Sequence, residues 1–298
     1  MPKRSTLVLS AFSLAVLTGC SAAAGGGQAA APNPQATTSY AGTDVKRQME
    51  AGIADCMKKG GFTYIPYLPP PMKLSAAETQ ALNGDYEAMK ARRAKYGFEI
   101  FAAFVYPKEF QGPGDPRGKV PTDPNWAIAG KLNETQATAY TKVKEACYGE
   151  AVKKTTGKVV TSKRDHSKQM ALKVKQVKAE ELDGDPGLVQ SATAMADCLK
   201  AKGYRLTAAN PVAMERRGRD EFDAKVEELA RDDGMPDDQA GEGMFVQPEL
   251  EPDKARPYLN EEIKASLDDL ECGKDFYRAF LPKQNELQRR MQEEFAWL

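Results

Sequence analysis

Apolar residues recur at helical spacing along most of this chain. Met49, Ile53, Cys56 and Met57 share one face of a helix predicted over Asp44–Lys59, and Met170, Val174 and Val177 do so over Lys163–Glu181. The same periodicity predicts helices over Ala76–Lys95, interrupted by Gly84, and over Glu134–Lys154. After the break at Asp183-Gly184-Asp185-Pro186-Gly187 it predicts Leu188–Lys202, Pro211–Arg231, Glu261–Phe280 and Pro282–Phe295. Three connections, Pro66–Leu74, Phe98–Asn125 and Asp232–Tyr258, are rich in Pro, Gly and Asp and read as loops on a helical scaffold. Within them Phe98–Tyr106 is apolar enough for a short strand or a buried turn. The predicted fold is mainly α, with little sheet.

A weak internal repeat divides the helices in two. Ile53-Ala54-Asp55-Cys56-Met57-Lys58-Lys59-Gly60-Gly61-Phe62 recurs as Met195-Ala196-Asp197-Cys198-Leu199-Lys200-Ala201-Lys202-Gly203-Tyr204. Each copy places a cysteine about one turn before a glycine C-cap and an aromatic residue. A looser match sets Leu132-Asn133-Glu134 before Cys147 and Leu259-Asn260-Glu261 before Cys272, with asparagine as the expected N-cap. Four cysteines allow three pairings. Self-contained repeats favour Cys56–Cys147 and Cys198–Cys272, and pairing across the halves is the alternative. The expectation is two weakly similar, disulfide-stapled helical units in tandem, over 43–182 and 183–298.

The fifth cysteine belongs to a different pattern. Lys3 and Arg4 precede an apolar run from Leu7 to Leu17, far shorter than the roughly 20 residues of a membrane span, so residues 1–19 read as a signal peptide. Leu17-Thr18-Gly19-Cys20 fits the L-[AST]-[GA]-C lipobox, in which the cysteine thiol takes a diacylglyceryl group before cleavage. Cys20 is therefore the expected lipidation site. The uncharged run from Ser21 to Gly42 has almost no large apolar residue and reads as a flexible tether. These features predict a lipid-anchored protein on the outer face of a bacterial cell membrane, where disulfides are the default state of the remaining cysteines.

Asp55-Cys56-Met57 through Gly61-Phe62-Thr63-Tyr64-Ile65-Pro66, Lys95-Tyr96-Gly97-Phe98 and Glu145-Ala146-Cys147-Tyr148-Gly149 together resemble a group of uncharacterised actinobacterial exported lipoproteins. The resemblance implies an envelope location and paired cysteines, and carries no mechanism. The second half shares it only through the repeat, since Tyr204-Arg205-Leu206-Thr207 lacks the Tyr-Ile-Pro continuation.

Charge and chemistry narrow the function classes. The chain has 42 basic and 42 acidic residues, and the mature form, without Lys3 and Arg4, a formal −2, which argues against nucleic acid as a partner. Lys153 to Lys178 is nevertheless strongly basic: a solvated helix face, or a contact for anionic lipid headgroups or wall polymers. His166, the one histidine, lies among Lys163, Arg164 and Lys168 and is expected at the surface. A single histidine and no CxxC spacing leave no expected zinc site, and no nucleotide or hydrolase motif points to a cofactor or catalytic residue. The aromatic-proline run Phe62–Pro71 either seals the end of a helical unit or lines a groove for sugar or peptide. The expected function is a non-catalytic binding or envelope-associated module, held to the membrane by lipid on Cys20 and facing an envelope protein, wall polymer or small ligand. The alternative is a carboxylate-dependent hydrolase of cell-wall glycans, which needs only two suitably spaced acids.

Overall fold

The structure, a computed structural model, describes residues 39–70, 74–110, 122–232 and 248–297. The signal, Cys20 and the tether up to residue 38 lie outside the described residues. From residue 39 onward the chain forms one compact unit. Its helices are α1 (Ser39–Lys59), α2 (Ala76–Leu82), α3 (Tyr86–Tyr96), α4 (Ala102–Val105), α5 (Pro124–Ala129), α6 (Glu134–Thr156), α7 (Lys163–Glu181), α8 (Pro186–Ala201), α9 (Pro211–Asp232), α10 (Pro252–Cys272) and α11 (Lys274–Glu294). There is no strand among the described residues. The apolar stretch after Phe98 is a buried turn closed by the short α4.

Local sequence explains most boundaries. Asn133 accepts from the Gln136 N–H while Gln136 returns a bond to the Asn133 N–H, a reciprocal cap that starts α6. The two repeat copies end alike. Gly61 and Gly203 take φ of 82° and 90°, and the next aromatic residue folds back five positions: Phe62 N–H to Met57 C=O at 2.9 Å, Tyr204 N–H to Leu199 C=O at 3.0 Å. A β-carbon disfavours such left-handed backbone, so glycine stops both helices at the same point after the cysteine.

Two expectations are corrected. The helix predicted over Ala76–Lys95 is two helices, because Gly84 at φ 84° turns the chain and Asp85 caps α3 through the Ala88 N–H. A β-carbon at Gly84 would come within 2.9 Å of Arg278 Cα, so the turn also lets α11 approach. In the C-terminal region Asn260 is not a cap. It lies inside α10, which starts with Pro252 at its first turn, and the break falls at Gly273 rather than before Pro282. α11 continues through Pro282 because its stripe of Phe276, Tyr277, Phe280, Leu287 and Met291 is buried on both sides of the proline. That burial outweighs the lost N–H and ring clash, worth about 3 kcal/mol in an isolated helix.

The disulfides are Cys56–Cys147, joining α1 to α6, and Cys198–Cys272, joining α8 to α10. They close spans of 91 and 74 residues, which in the chain-entropy model stabilises by about 4–5 kcal/mol each. The helices of the two sequence halves interleave across the break at 183–185. α3 packs on α10 and α2 on α11. One core cluster joins Ala81 and Met89 of the first half to Leu188, Met195, Phe276 and Phe280 of the second. A second lies between α1 and α6, around Met49, Ile53, Met57, Tyr148 and Val152. A third gathers Phe101 and Val105 with Phe222, Val226 and Leu259.

Candidate functional site

A cleft of about 420 Å³ opens where α2, α3, α9 and α11 meet, within the size range of small-molecule sites. Its floor is built from the end of α3. Gly97 (φ 62°) terminates that helix, and Glu99 follows at φ 74°, one of two non-glycine residues with positive φ among the described residues. The carboxylate that requires this reversal is Glu262 of α10, which accepts the N–H groups of Ile100 at 2.9 Å and Phe101 at 2.8 Å. A β-carbon at Gly97 would sit 2.7 Å from Glu262 Cγ, so only glycine lets the turn close over the acid. The turn drives the Phe98 ring against Gly218 of α9, where a β-carbon would come within 2.0 Å of the ring's Cζ. Phe98, Met89 and Leu281 thus form an apolar floor, with Leu74 and Leu82 exposed at the mouth.

Behind the floor lies a buried ionic cluster. Asp269, fully buried, accepts from Arg93 at 2.7 Å, Arg217 at 3.1 Å and the Tyr277 hydroxyl at 2.6 Å. Arg93 also donates to the Ser266 carbonyl at 2.8 Å and lies 4.6 Å from the centroid of the Tyr277 ring. Burial alone would disfavour the Arg93 charge, but Tyr277 and Asp269 outweigh it and hold the guanidinium more firmly protonated than usual. Burial, with the nearby Asp269, likewise keeps the Tyr277 hydroxyl neutral. The cluster is an ion-paired one that leaves a single buried nitrogen, Arg217 Nε, without a hydrogen-bond partner, and it ties α3 and α9 to α10 and α11 under the cleft.

At the mouth the polar groups are less committed. Arg92 is tied to Glu99 and, at 3.5 Å, to Glu78. Glu78 caps α2 through Ser75, and those bonds hold its carboxyl below the usual range. Arg219 donates one bond, to the Phe98 carbonyl at 3.0 Å, and has no ion pair among the described residues. Glu215, one turn earlier on α9, also lines the cleft without an ion pair among the described residues. The cleft therefore offers an apolar floor, an unpaired guanidinium and an unpaired carboxylate. Such a lining presents charge and apolar surface side by side.

The aromatic-proline run lies elsewhere. Phe62 stacks edge-on against Tyr140, and the Tyr64 hydroxyl and Tyr67 N–H both donate to Glu50 at 3.1 and 3.0 Å. Burial raises the pKa of Glu50. Ile65 is exposed, its backbone N–H donating to the Asn125 side-chain oxygen and its carbonyl accepting from the Asn125 side-chain nitrogen, each at 2.8 Å. The segment seals the α1–α6 unit over the buried Glu50 and leaves a cavity of about 220 Å³, which Lys144 and Lys163 also line. Pro71 is outside the described residues.

His166 is a correction. Expected at the surface, it is fully buried, its Nδ1 2.8 Å from the Tyr148 hydroxyl and its ring against Phe295 and Trp297. Its lysine-rich neighbours face outward while position 166 faces inward, and the aromatic wall arrives from the C-terminus of the chain. Burial and the ammonium groups of Lys158 and Lys163 hold its pKa below the ordinary value. No three His, Cys, Asp or Glu side chains gather as a metal site among the described residues. No helix among them is long and apolar enough to cross a membrane.

Of the residues singled out in the sequence, the structure brings Cys56 to Cys147 and Cys198 to Cys272 and sets neither pair in the cleft. Arg92, Arg93, Arg219, Glu215 and Glu262 were missed. They come from distant segments, and the only local signal is the arginine doublets Arg92-Arg93 and Arg216-Arg217 on helices. No family model, characterised protein or solved structure matches the chain.

Proposed function

We propose that this chain is an extracytoplasmic lipoprotein, anchored through Cys20 to the outer face of the cell membrane, that binds a small amphipathic ligand rather than converting one. The observation that carries the reading is the cleft of about 420 Å³, with an apolar floor of Met89, Phe98 and Leu281 and an unpaired Arg219 at its mouth. The floor takes a short hydrocarbon and Arg219 takes an anionic group, since a guanidinium grips a carboxylate with two parallel bonds. The lipobox and the two disulfides support an oxidising, extracytoplasmic setting.

Two measurements test it. Cys20→Ala moves the protein from the membrane fraction to the medium; a variant that stays membrane-bound defeats the anchor. Medium-chain fatty acids, used as probes, bind the purified mature chain by calorimetry, and Arg219→Gln weakens them by about 10- to 150-fold, as expected for losing a charge-assisted bond of about 1.5–3 kcal/mol. Equal binding by wild type and variant, or none by either, defeats the cleft.

A further inference from the structure

We infer that the outer face of α7, with Val159 and Trp297 at its N-terminal end, docks on the anionic surface of the bilayer; this rests on the proposed anchor at Cys20. Lys153 to Lys178 holds nine basic residues and one acidic residue, Asp165. Among the described residues only Lys158 of those nine is ion-paired, to Glu294 at 2.8 Å. Elsewhere the surface neutralises many of its charges: Arg289, Arg290, Arg216, Arg278 and Lys283 all sit in ion pairs.

The helix sorts these charges. Ser162 caps α7 through the Asp165 N–H at 3.0 Å, while His166, Met170, Val174 and Val177 turn inward. Arg164, Lys168, Leu172 and Lys175 then follow one another along the outer face, a stripe about 16 Å long. Leu172 is 60% exposed in the middle of the stripe, and Val159 is 69% exposed just before the helix. A shallow depression between Trp297 and this face is lined by Lys163, Arg164, Ser167 and Lys168. Basic residues around exposed apolar side chains, with a partly exposed indole at the edge, match the chemistry of an anionic lipid interface. Glu294 is neutralised by Lys158 at 2.8 Å, which leaves Asp165, bonded to the Thr161 N–H at 2.9 Å, as the one acidic charge set against the eight unpaired basic residues of this stretch.

The entry point of the chain sets the orientation. α1 and α6 run antiparallel, with the β-carbon position of Gly52 3.8 Å from Ala151 and Cys56 bonded to Cys147. That register carries the start of α1 beside the end of α6 and the turn leading into α7, and Val45 packs on the same cluster as Val160. The 18 residues between Cys20 and Ser39 reach at most about 65 Å. An anchored chain thus enters the body at the end that carries the unpaired basic residues, and a tether this short gives even a weak surface contact a high local concentration. The lipid fixes residence, and α7 fixes which side of the body faces the membrane.

The test uses the full mature chain with Cys20→Ala, so that binding owes nothing to acyl chains, and with Trp126→Phe, so that Trp297 is the reporter. It should sediment with phosphatidylglycerol/phosphatidylcholine vesicles at low salt but not with phosphatidylcholine alone, and Trp297 emission should shift to the blue. Replacing Lys163, Arg164, Lys168 and Lys175 by Gln should weaken binding by about 600-fold, at about fivefold per charge. The same charge change at the far end of α1 and α6 (Lys58, Lys59, Lys131 and Lys142 to Gln) should cost less than about fivefold. No binding to the anionic vesicles, or equal loss in both quadruple variants, overturns the inference. Polyphosphate binding as strong as vesicle binding with Trp297 unshifted assigns the face to an anionic polymer and also overturns it. Because these proteins carry no lipid, failure here leaves the anchor standing, and release of the wild type into the medium would remove the anchor without touching the vesicle result.

Discussion

Glu262 couples the floor of the cleft to pH. It is fully buried, and burial raises its pKa from an ordinary 4.5 to about 7, against the lowering effect of the Ile100, Phe101 and Phe98 N–H groups. An acid whose folded pKa is raised adds stability below the unfolded value and loses it as pH climbs through the folded value. The structure therefore implies a loss of about 2.5 kcal/mol between about pH 5 and about pH 8 from this one group. Glu262→Gln keeps the shape but replaces one accepting oxygen by a donor, leaving an amide N–H unpaired at a cost of about 1–3 kcal/mol that does not vary with pH. Urea unfolding of both proteins across that range should show wild type ahead by the widest margin in acid, the margin shrinking by about 2.5 kcal/mol toward pH 8. A margin that stays constant, or widens as pH rises, would refute the assignment of burial as the dominant effect.

Three further outcomes follow from the same geometry. Asp269→Asn leaves Arg93 and Arg217 without their shared carboxylate and should cost about 3–5 kcal/mol in urea unfolding; a loss under about 1 kcal/mol means that the cluster is not the buried charge described here. Gly218→Ala gains about 1 kcal/mol of helix propensity but drives a methyl into the Phe98 ring, for a net loss of about 1–2 kcal/mol and weaker binding of fatty-acid probes. A more stable variant with unchanged binding contradicts the Phe98 position. His166, as the one histidine, gives a single proton NMR titration whose midpoint should fall below 6.5; a midpoint at or above that value contradicts its burial.

The helices were legible where the deciding physics is local. Caps such as Asn133, the glycine stops at Gly61 and Gly203, and the basic run that becomes α7 are short-range features, and the helix over Lys163–Glu181 is found with both predicted ends. The errors share a cause. Pro282 fails to end a predicted helix because Phe280 and Leu287 are buried on either side, and His166 turns inward toward the rings of Phe295 and Trp297. Each depends on a partner more than a hundred residues away or on tertiary burial that periodicity does not encode. The cleft was illegible for the same reason, since Glu78, Phe98, Arg219 and Tyr277 meet only after the halves interleave.

The cysteine connectivity has a consequence for biogenesis. On the proposed export route, N-terminus first, the chain presents Cys56, Cys147, Cys198 and Cys272 in that order, and the native pairs are the first with the second and the third with the fourth. Oxidation in order of emergence yields the native pairing directly, so maturation makes no demand on a disulfide isomerase. The helices follow a different schedule. α2 and α3 emerge inside the first covalent loop and wait there, apolar faces uncovered, until α10 and α11 arrive. On that route the bonds can be right well before the body is finished, and in that interval the apolar faces of α2 and α3 stay open to aggregation.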